Sequence, residues 1–259
     1  MQFRHRRRYY CRPLAILIMN FIEKYFLIFS TLLLPFLYIV AATSFYVVFY
    51  IWKTNRYRSY KIQQDEANAA QLKKEILYGI SSLIIFIATG YVVYLLFHNR
   101  HTLIYFNITK YGLFYFVISI VLMMVLHDMY FYWTHRLLHL PGWYRKIHFV
   151  HHQSTNPSPF TSLSFHPGEA IIQAAVLPLI VIIIPAHPVA IFIFLILMVY
   201  KNVRGHAGYE FTSPAERQKR RKWLQNYSID HNDHHLYGGG NYGLYFNLWD
   251  RVMHTFRKQ

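Results

Sequence analysis

"AIIQAAVLPLIVIIIPAHPVAIFIFLILMVY", residues 170–200, decides how this chain folds. It holds no Asp, Glu, Lys or Arg and is longer than the roughly 20 apolar residues that one helix needs to cross a bilayer. Pro185 and Pro188 break it near the middle. The pattern predicts a hairpin of two short, tilted helices that enters the membrane and returns on the side it came from. Residues 127–169 and 201–259, on either flank, then share one face of the membrane.

The rest of the chain fits a membrane setting. Of the 259 residues, 54% are apolar, 19% aromatic and only 15% charged, against roughly a quarter charged in soluble proteins. The mean hydropathy of +0.17 still leaves a large share for water or the interface. Uncharged runs at 26–52 and 77–97 read as crossings, and a third at about 111–126 continues into the aromatic "HDMYFYWTHRLLH". The prediction is an all-α integral membrane protein of about four transmembrane helices, one pair being the hairpin, with a helical cap. Residues 1–126 are expected to form an N-terminal region of transmembrane helices, and 127–256 a second domain that includes the hairpin. No cleavable signal peptide is read at the N-terminus.

Charge orients this arrangement. The net charge is +16, and its basic residues flank apolar spans, which points to lipid headgroups rather than nucleic acid. Lys and Arg number six in 53–76, three in 127–169 and ten in 201–259, so 19 of 27 fall on one side. The positive-inside rule predicts that this side is cytoplasmic. The basic arm "RHRRRYYCR" conflicts with the rule if 26–52 crosses once. The single cysteine, Cys11, sets aside disulfides and thiolate metal sites.

Histidines gather on that same side. "HFVHH" at 148–152 and "HNDHH" at 231–235 share the pattern H-x-x-H-H, and "HRLLH" at 135–139 adds a pair. Positions i, i+3 and i+4 lie on one helical face, so each H-x-x-H-H is expected to direct three imidazoles to one point. His135, His139, His148, His151, His152, His231, His234 and His235 make eight candidate ligands, and His206 in "GHAGYE" is well placed as a ninth. His127 and His166 are weaker candidates, while His5, His98, His101, His187 and His254 read as isolated polar residues. Imidazole suits iron, zinc, copper or nickel, and four ligands saturate a structural zinc, so this number predicts two ions. A ligating histidine usually gives its other N–H to a carboxylate or carbonyl. Asp128, Glu169, Glu210, Asp230, Asp233 and Asp250 stand beside the histidines, and Asp128 and Asp230 are the first choices for that role, with Asp233 and Glu169 behind them.

"HDMYFYWTHRLLH", "RKIHFVHH", "SFHPGE", "GHAGYE" and "HNDHH…NYGLYFNLWDRVMHT" resemble, in order, the signatures of the fatty acid hydroxylase/sterol desaturase superfamily. The resemblance covers about 127–256. It implies a histidine-rich, non-haem di-iron centre held by the nine histidines, with O2 as co-substrate and a bilayer lipid hydroxylated or desaturated. "VMHT" departs from the family, whose members commonly carry glycine where His254 stands. The chain has no dinucleotide, flavin or haem motif, so electrons are expected from a separate donor: cytochrome b5-like, ferredoxin or reductase.

Other classes fit less well. A histidine-rich metal transporter would need a polar path through the spans, and a zinc hydrolase would be supported by an HExxH that the chain lacks. A carotenoid hydroxylase is the alternative within the oxygenase class. Tyr130, Phe131, Tyr132 and Trp133 either line a substrate passage or pack at the interface. The substrate, the balance between hydroxylation and desaturation, and the choice between a bacterial inner membrane and the endoplasmic reticulum stay open.

Overall fold

The computed structural model describes residues 11–65, 67–220 and 225–257, and within these all side chains except those of 11–20, 22–24, 219 and 220. Most of the basic N-terminal arm lies outside the described residues. The fold is all-α, and no strand forms among the described residues. Helices α1 (Cys11–Tyr46), α2 (Ala69–His98) and α3 (Gly112–Leu138) precede the hairpin. The hairpin consists of α4 (Pro167–Ala174), α5 (Val176–Ile183) and α6 (Pro188–His206). Helices α7 (Pro214–Arg220) and α8 (Ser228–Tyr237) follow.

Tyr25–Trp52, Ala69–His98, Gly112–Leu138 and Pro188–His206 are each long and apolar enough to cross a membrane, and Pro167–Ile183 is a shorter apolar pair. This is a multi-pass membrane protein. Its outward faces carry Phe36, Ile84 and Phe114 at 63%, 63% and 82% exposure, which is stable in hydrocarbon and costly in water.

The hairpin is less symmetric than the sequence suggests. Its returning arm is a single helix of 19 residues, begun by Pro188 at the first helical position, with the His187 side chain accepting from Val189 N–H at 3.2 Å. The entering arm divides at Ala175 into α4 and α5. Pro178 explains the division, because it has no N–H to give the Ala174 carbonyl and its ring crowds that oxygen.

Hydrogen bonds tie both ends of the bundle. At one end the 99–111 connection meets the hairpin turn, Leu103 N–H donating to Val181 O at 2.9 Å and Tyr105 N–H to Ala186 O at 3.1 Å. At the other, Glu210 N–H reaches Tyr60 O at 2.8 Å, Ile62 N–H reaches Gly208 O at 2.9 Å, and Gln63 Nε2 reaches Asn232 Oδ1 at 3.0 Å. The polar segments 53–65, 139–166, 207–220 and 225–257 therefore meet at one end, as the hairpin reading requires. Between the ends, α1 and α2 cross in contact at Gly90, where a Cβ would stand 2.0 Å from Ser30 O. Ser30 and Thr31 turn their hydroxyls onto the Leu27 carbonyl of their own helix, at 3.1 and 2.7 Å, so both hydroxyls are paired within α1.

Candidate metal centre

The histidines converge, but not triplet by triplet. His135, His139, His148, His152 and His234 form one cluster, and His151, His206, His231 and His235 form a second, with the potential ligand atoms of each within 4.8 Å of one another. Each H-x-x-H-H is split between the two, which corrects the expectation that a triplet serves one point. Helix geometry gives the reason. At about 100° per residue, i and i+4 stand about 40° apart, whereas i+3 lies about 60° from i on its other side. His148 and His152 stay together and His151 turns away; His231 and His235 stay together and His234 turns away. His135 and His139, also spaced i and i+4, join one cluster. The two clusters are neighbours, the His152 and His235 rings stacking at 4.9 Å.

The ring nitrogens suit an ion. His139 Nε2 lies 3.1 Å from both His234 Nε2 and His148 Nε2, while His206 Nε2 lies 2.8 Å from His231 Nε2 and 3.4 Å from His151 Nε2. Imidazoles bound at about 2.1 Å to one ion have nitrogens about 3.0 to 3.4 Å apart at octahedral or tetrahedral angles. His135 Nε2, His152 Nε2 and both nitrogens of His235 are buried with no hydrogen-bond partner among the described residues. Buried polar atoms are otherwise almost always paired, so an ion accounts for these. Burial first, and neighbouring imidazoles second, hold His148, His151, His231, His234 and His235 well below the usual histidine pKa and bring His152 to about 3. All six are neutral at pH 7, the protonation state that binds metal.

Most of the opposite nitrogens are anchored. Nδ1–H donates to Tyr242 O from His135 at 2.9 Å, to Gly240 O from His234 at 2.7 Å, to Asn202 O from His206 at 2.8 Å and to Ser164 O from His151 at 3.4 Å. His148 Nδ1–H donates to Glu169 Oε1 at 2.9 Å, with both side chains buried. These bonds select the tautomer whose Nε2 lone pair faces the cluster.

Among the acidic candidates, Glu169 meets a clustered histidine directly. Asp128 accepts from Tyr245 N–H at 2.7 Å and Phe246 N–H at 3.2 Å. Asp230 reaches back to Tyr227 N–H at 3.2 Å in the manner of a capping box, and Asp233 is half-buried on α8. His127 and His166 stand outside both clusters: His127 Nδ1 pairs with the Tyr245 hydroxyl at 2.6 Å, and His166 caps α4 by accepting from Gly168 N–H at 3.1 Å. Sequence reasoning passed over the work of Asp250. Its carboxylate accepts from Tyr242 N–H and Gly243 N–H at 2.9 and 2.8 Å and from Thr255 Oγ1 at 2.7 Å. It thereby fixes the loop whose carbonyls hold His135 and His234, and Gly243 is required there because a Cβ would lie 2.3 Å from Phe246 O. The spacing of "NYG" from "WD" was the available signal. Glu75, also missed, is buried at the head of α2, where it accepts from Gln71 and from the Ser154 and Ser158 hydroxyls, bracing the segment just after His152.

His254 has a positive φ of 56°, a conformation that favours glycine, which gives the departure at "VMHT" a physical meaning. The residue is exposed. His254→Gly is expected to raise unfolding stability by roughly 0.5–1 kcal/mol with bound metal unchanged; thermal unfolding with metal analysis checks both.

An apolar cavity lies beside the histidines, lined by Leu34, Tyr38, Phe86, Leu163 and Val199 among others. Phe131 and Phe165 line it too, and their rings lie 5.0 Å from His135 and His151 respectively. A second apolar space shares Leu34, Phe86 and Leu177 and runs past Phe26, Gly90 and Ile191. Of the aromatic run 130–133, Phe131 faces this cavity, whereas Tyr130 binds the Ile172 carbonyl, Tyr132 is buried beside Trp249 and Trp133 is 43% exposed.

The sequence profile described as fatty acid hydroxylase matches residues 120–255. Lathosterol oxidase of Homo sapiens is 37% identical over 147 residues, which cover 57% of this chain and 48% of that protein. Its counterpart in Mus musculus is 31% identical over 189 residues, covering 72% and 62%. A Delta(7)-sterol 5(6)-desaturase of Gibberella zeae is 32% identical over 161 residues, covering 61% and 47%. The matched parts thus span about half to three-fifths of these relatives. No solved structure matches. With over half of its length matched by the profile, the chain belongs to the fatty acid hydroxylase family.

Proposed function

We propose that this protein is a membrane-bound di-iron oxygenase that desaturates or hydroxylates a sterol-like lipid, using O2 and electrons from a separate protein. The observation that carries the reading is the position of two adjacent imidazole clusters beside an apolar cavity, whose wall residues Phe131 and Phe165 pack against His135 and His151. The sterol desaturases and oxidases among its relatives favour a sterol over an acyl chain. The apolar character of the space beside the clusters argues against a metal transporter, which needs polar groups along its path.

In this reading His135, His139, His148, His152 and His234 hold one iron and His151, His206, His231 and His235 the other. Bound there, iron would take up electrons from the donor protein and supply the oxidising power needed to split O2 and break an unactivated C–H bond, chemistry beyond any side chain. The protein's own residues do the rest. The carbonyls of Tyr242, Gly240, Asn202 and Ser164 and the carboxylate of Glu169 orient the imidazoles. Phe131 and Phe165 carry the apolar wall up to the histidines, so that a hydrocarbon reaches the centre without meeting water. Residues 127–256 form the catalytic domain, to which α1 and α2 add cavity walls through Leu34, Tyr38 and Phe86. The basic excess on the histidine side supports a cytoplasmic placement of that side, where the electron donor would dock.

The test is protein purified from iron-supplemented cells, analysed for metal and then incubated with lathosterol, O2 and a reductase system. About two irons per chain and a product two hydrogens lighter, or one oxygen heavier, support the reading. Zinc without iron under anaerobic handling, or iron-loaded protein that leaves a sterol and fatty-acid panel unchanged, refutes it.

A further inference from the structure

One polar side chain in the cavity is unused by the fold. Gln173, on α4 one turn beyond Glu169, is 7% exposed and lines the apolar cavity beside the histidines. Its carboxamide makes no hydrogen bond to the described residues, and its polar atoms are left facing the cavity rather than sealed in packing. Leaving such a group unpaired in an apolar site is unfavourable. Leucine or methionine would fill the same space at no such cost, so packing does not explain a glutamine. The polar groups beside it are engaged: the Tyr38 hydroxyl donates to Phe160 O at 3.1 Å, Asn202 Nδ2 to Ser162 O at 2.9 Å, and His127 is held by Tyr245. The second space, toward Phe26 and Ile191, is lined almost wholly by apolar residues.

We infer that Gln173 is a specificity-determining residue that hydrogen-bonds the hydroxyl of a lipid alcohol, seating it with its oxygen toward the metal centre and its hydrocarbon in the second space. A carboxamide suits a hydroxyl because its oxygen accepts the O–H while its nitrogen donates to the same oxygen type. The orientation agrees with the bilayer, in which an alcohol floats its hydroxyl toward the interface, the end where the histidines lie. The inference rests on the lipid-oxidation reading for its substrate class, and binding tests it separately from turnover.

The probes are lathosterol, which carries one hydroxyl, and its deoxy analogue, the same hydrocarbon without that oxygen. Binding of each to the iron-loaded full chain in nanodiscs is compared with Gln173→Leu and Gln173→Met, alongside product formation. The wild type is expected to prefer the alcohol by about tenfold or more, and either variant to reduce that preference at least fivefold with iron content unchanged. Differences in bilayer partition cancel because the same two probes are used throughout. Equal binding of the two probes by the wild type, no lathosterol binding, or a preference kept intact in folded, iron-loaded variants overturns the inference. A Gln173-dependent preference without product leaves it standing and refutes the proposed reaction on this sterol. Product without preference does the reverse.

Discussion

His151→Ala is expected to lower bound iron from about two per chain to about one and to cut turnover at least 100-fold. His151 is one of four imidazoles in its cluster, with His206, His231 and His235. Three remaining ligands hold an ion more weakly than four, and removing one opens a buried position that only water can fill. His234→Ala acts on the five-histidine cluster, leaves four imidazoles there, and is expected to keep most of both irons while still impairing turnover. This asymmetry follows from the splitting of each H-x-x-H-H. If each triplet served one ion, the two replacements would cost about the same. Metal-to-protein ratios on variants purified side by side decide between these outcomes. Equal loss of both irons from both variants would show one indivisible site.

Much of this was legible in the sequence because it depends on local periodicity. Pro185 and Pro188 in an uncharged run dictate a hairpin, and the hairpin brings residues 127–169 and 201–257 to one end. The nine clustered histidines were legible for the same reason: spacing of three and four is a helical property, and His206 stands where α6 ends. The division of labour was harder to read. Which way His151 turns depends on the phase of a short, π-wound segment at Tyr144–His148 and the turn Phe149–His152 after it. The carboxylates were least legible, since an acid's role depends on what lies opposite it in space. Asp128 and Asp230 adjoin histidines in sequence yet bind backbone N–H groups, while Asp250, eight residues beyond Tyr242, sets the loop that anchors two ligands. Gln173 carries no motif at all. It becomes visible only when a cavity forms around it.

Glu169 offers the second large effect, and its two replacements separate hydrogen bonding from charge. The carboxylate accepts the His148 Nδ1–H at 2.9 Å with both groups 1% exposed. It fixes the ring and keeps Nε2 as the ligating atom; burial pushes the Glu169 carboxyl well above the usual range, and with an ion bound on the far side of His148 the carboxyl is expected to ionise, adding negative charge that raises imidazole basicity and partly balances the ion. Glu169→Gln keeps an oxygen acceptor in the same place and loses the charge, so iron affinity in the five-histidine cluster is expected to fall about tenfold. Glu169→Leu loses both and leaves a buried N–H unpaired, for a fall approaching 100-fold. Chelator competition measures both, and the four-histidine cluster, whose His151 and His206 are anchored by backbone carbonyls, serves as an internal reference. If both variants held iron as tightly as the wild type, neither the charge nor the hydrogen bond would matter and Glu169 would serve packing alone. If both fell equally, the charge would carry the whole effect; if glutamine alone weakened binding, its amide would have turned N–H toward the His148 N–H, a clash that leucine avoids.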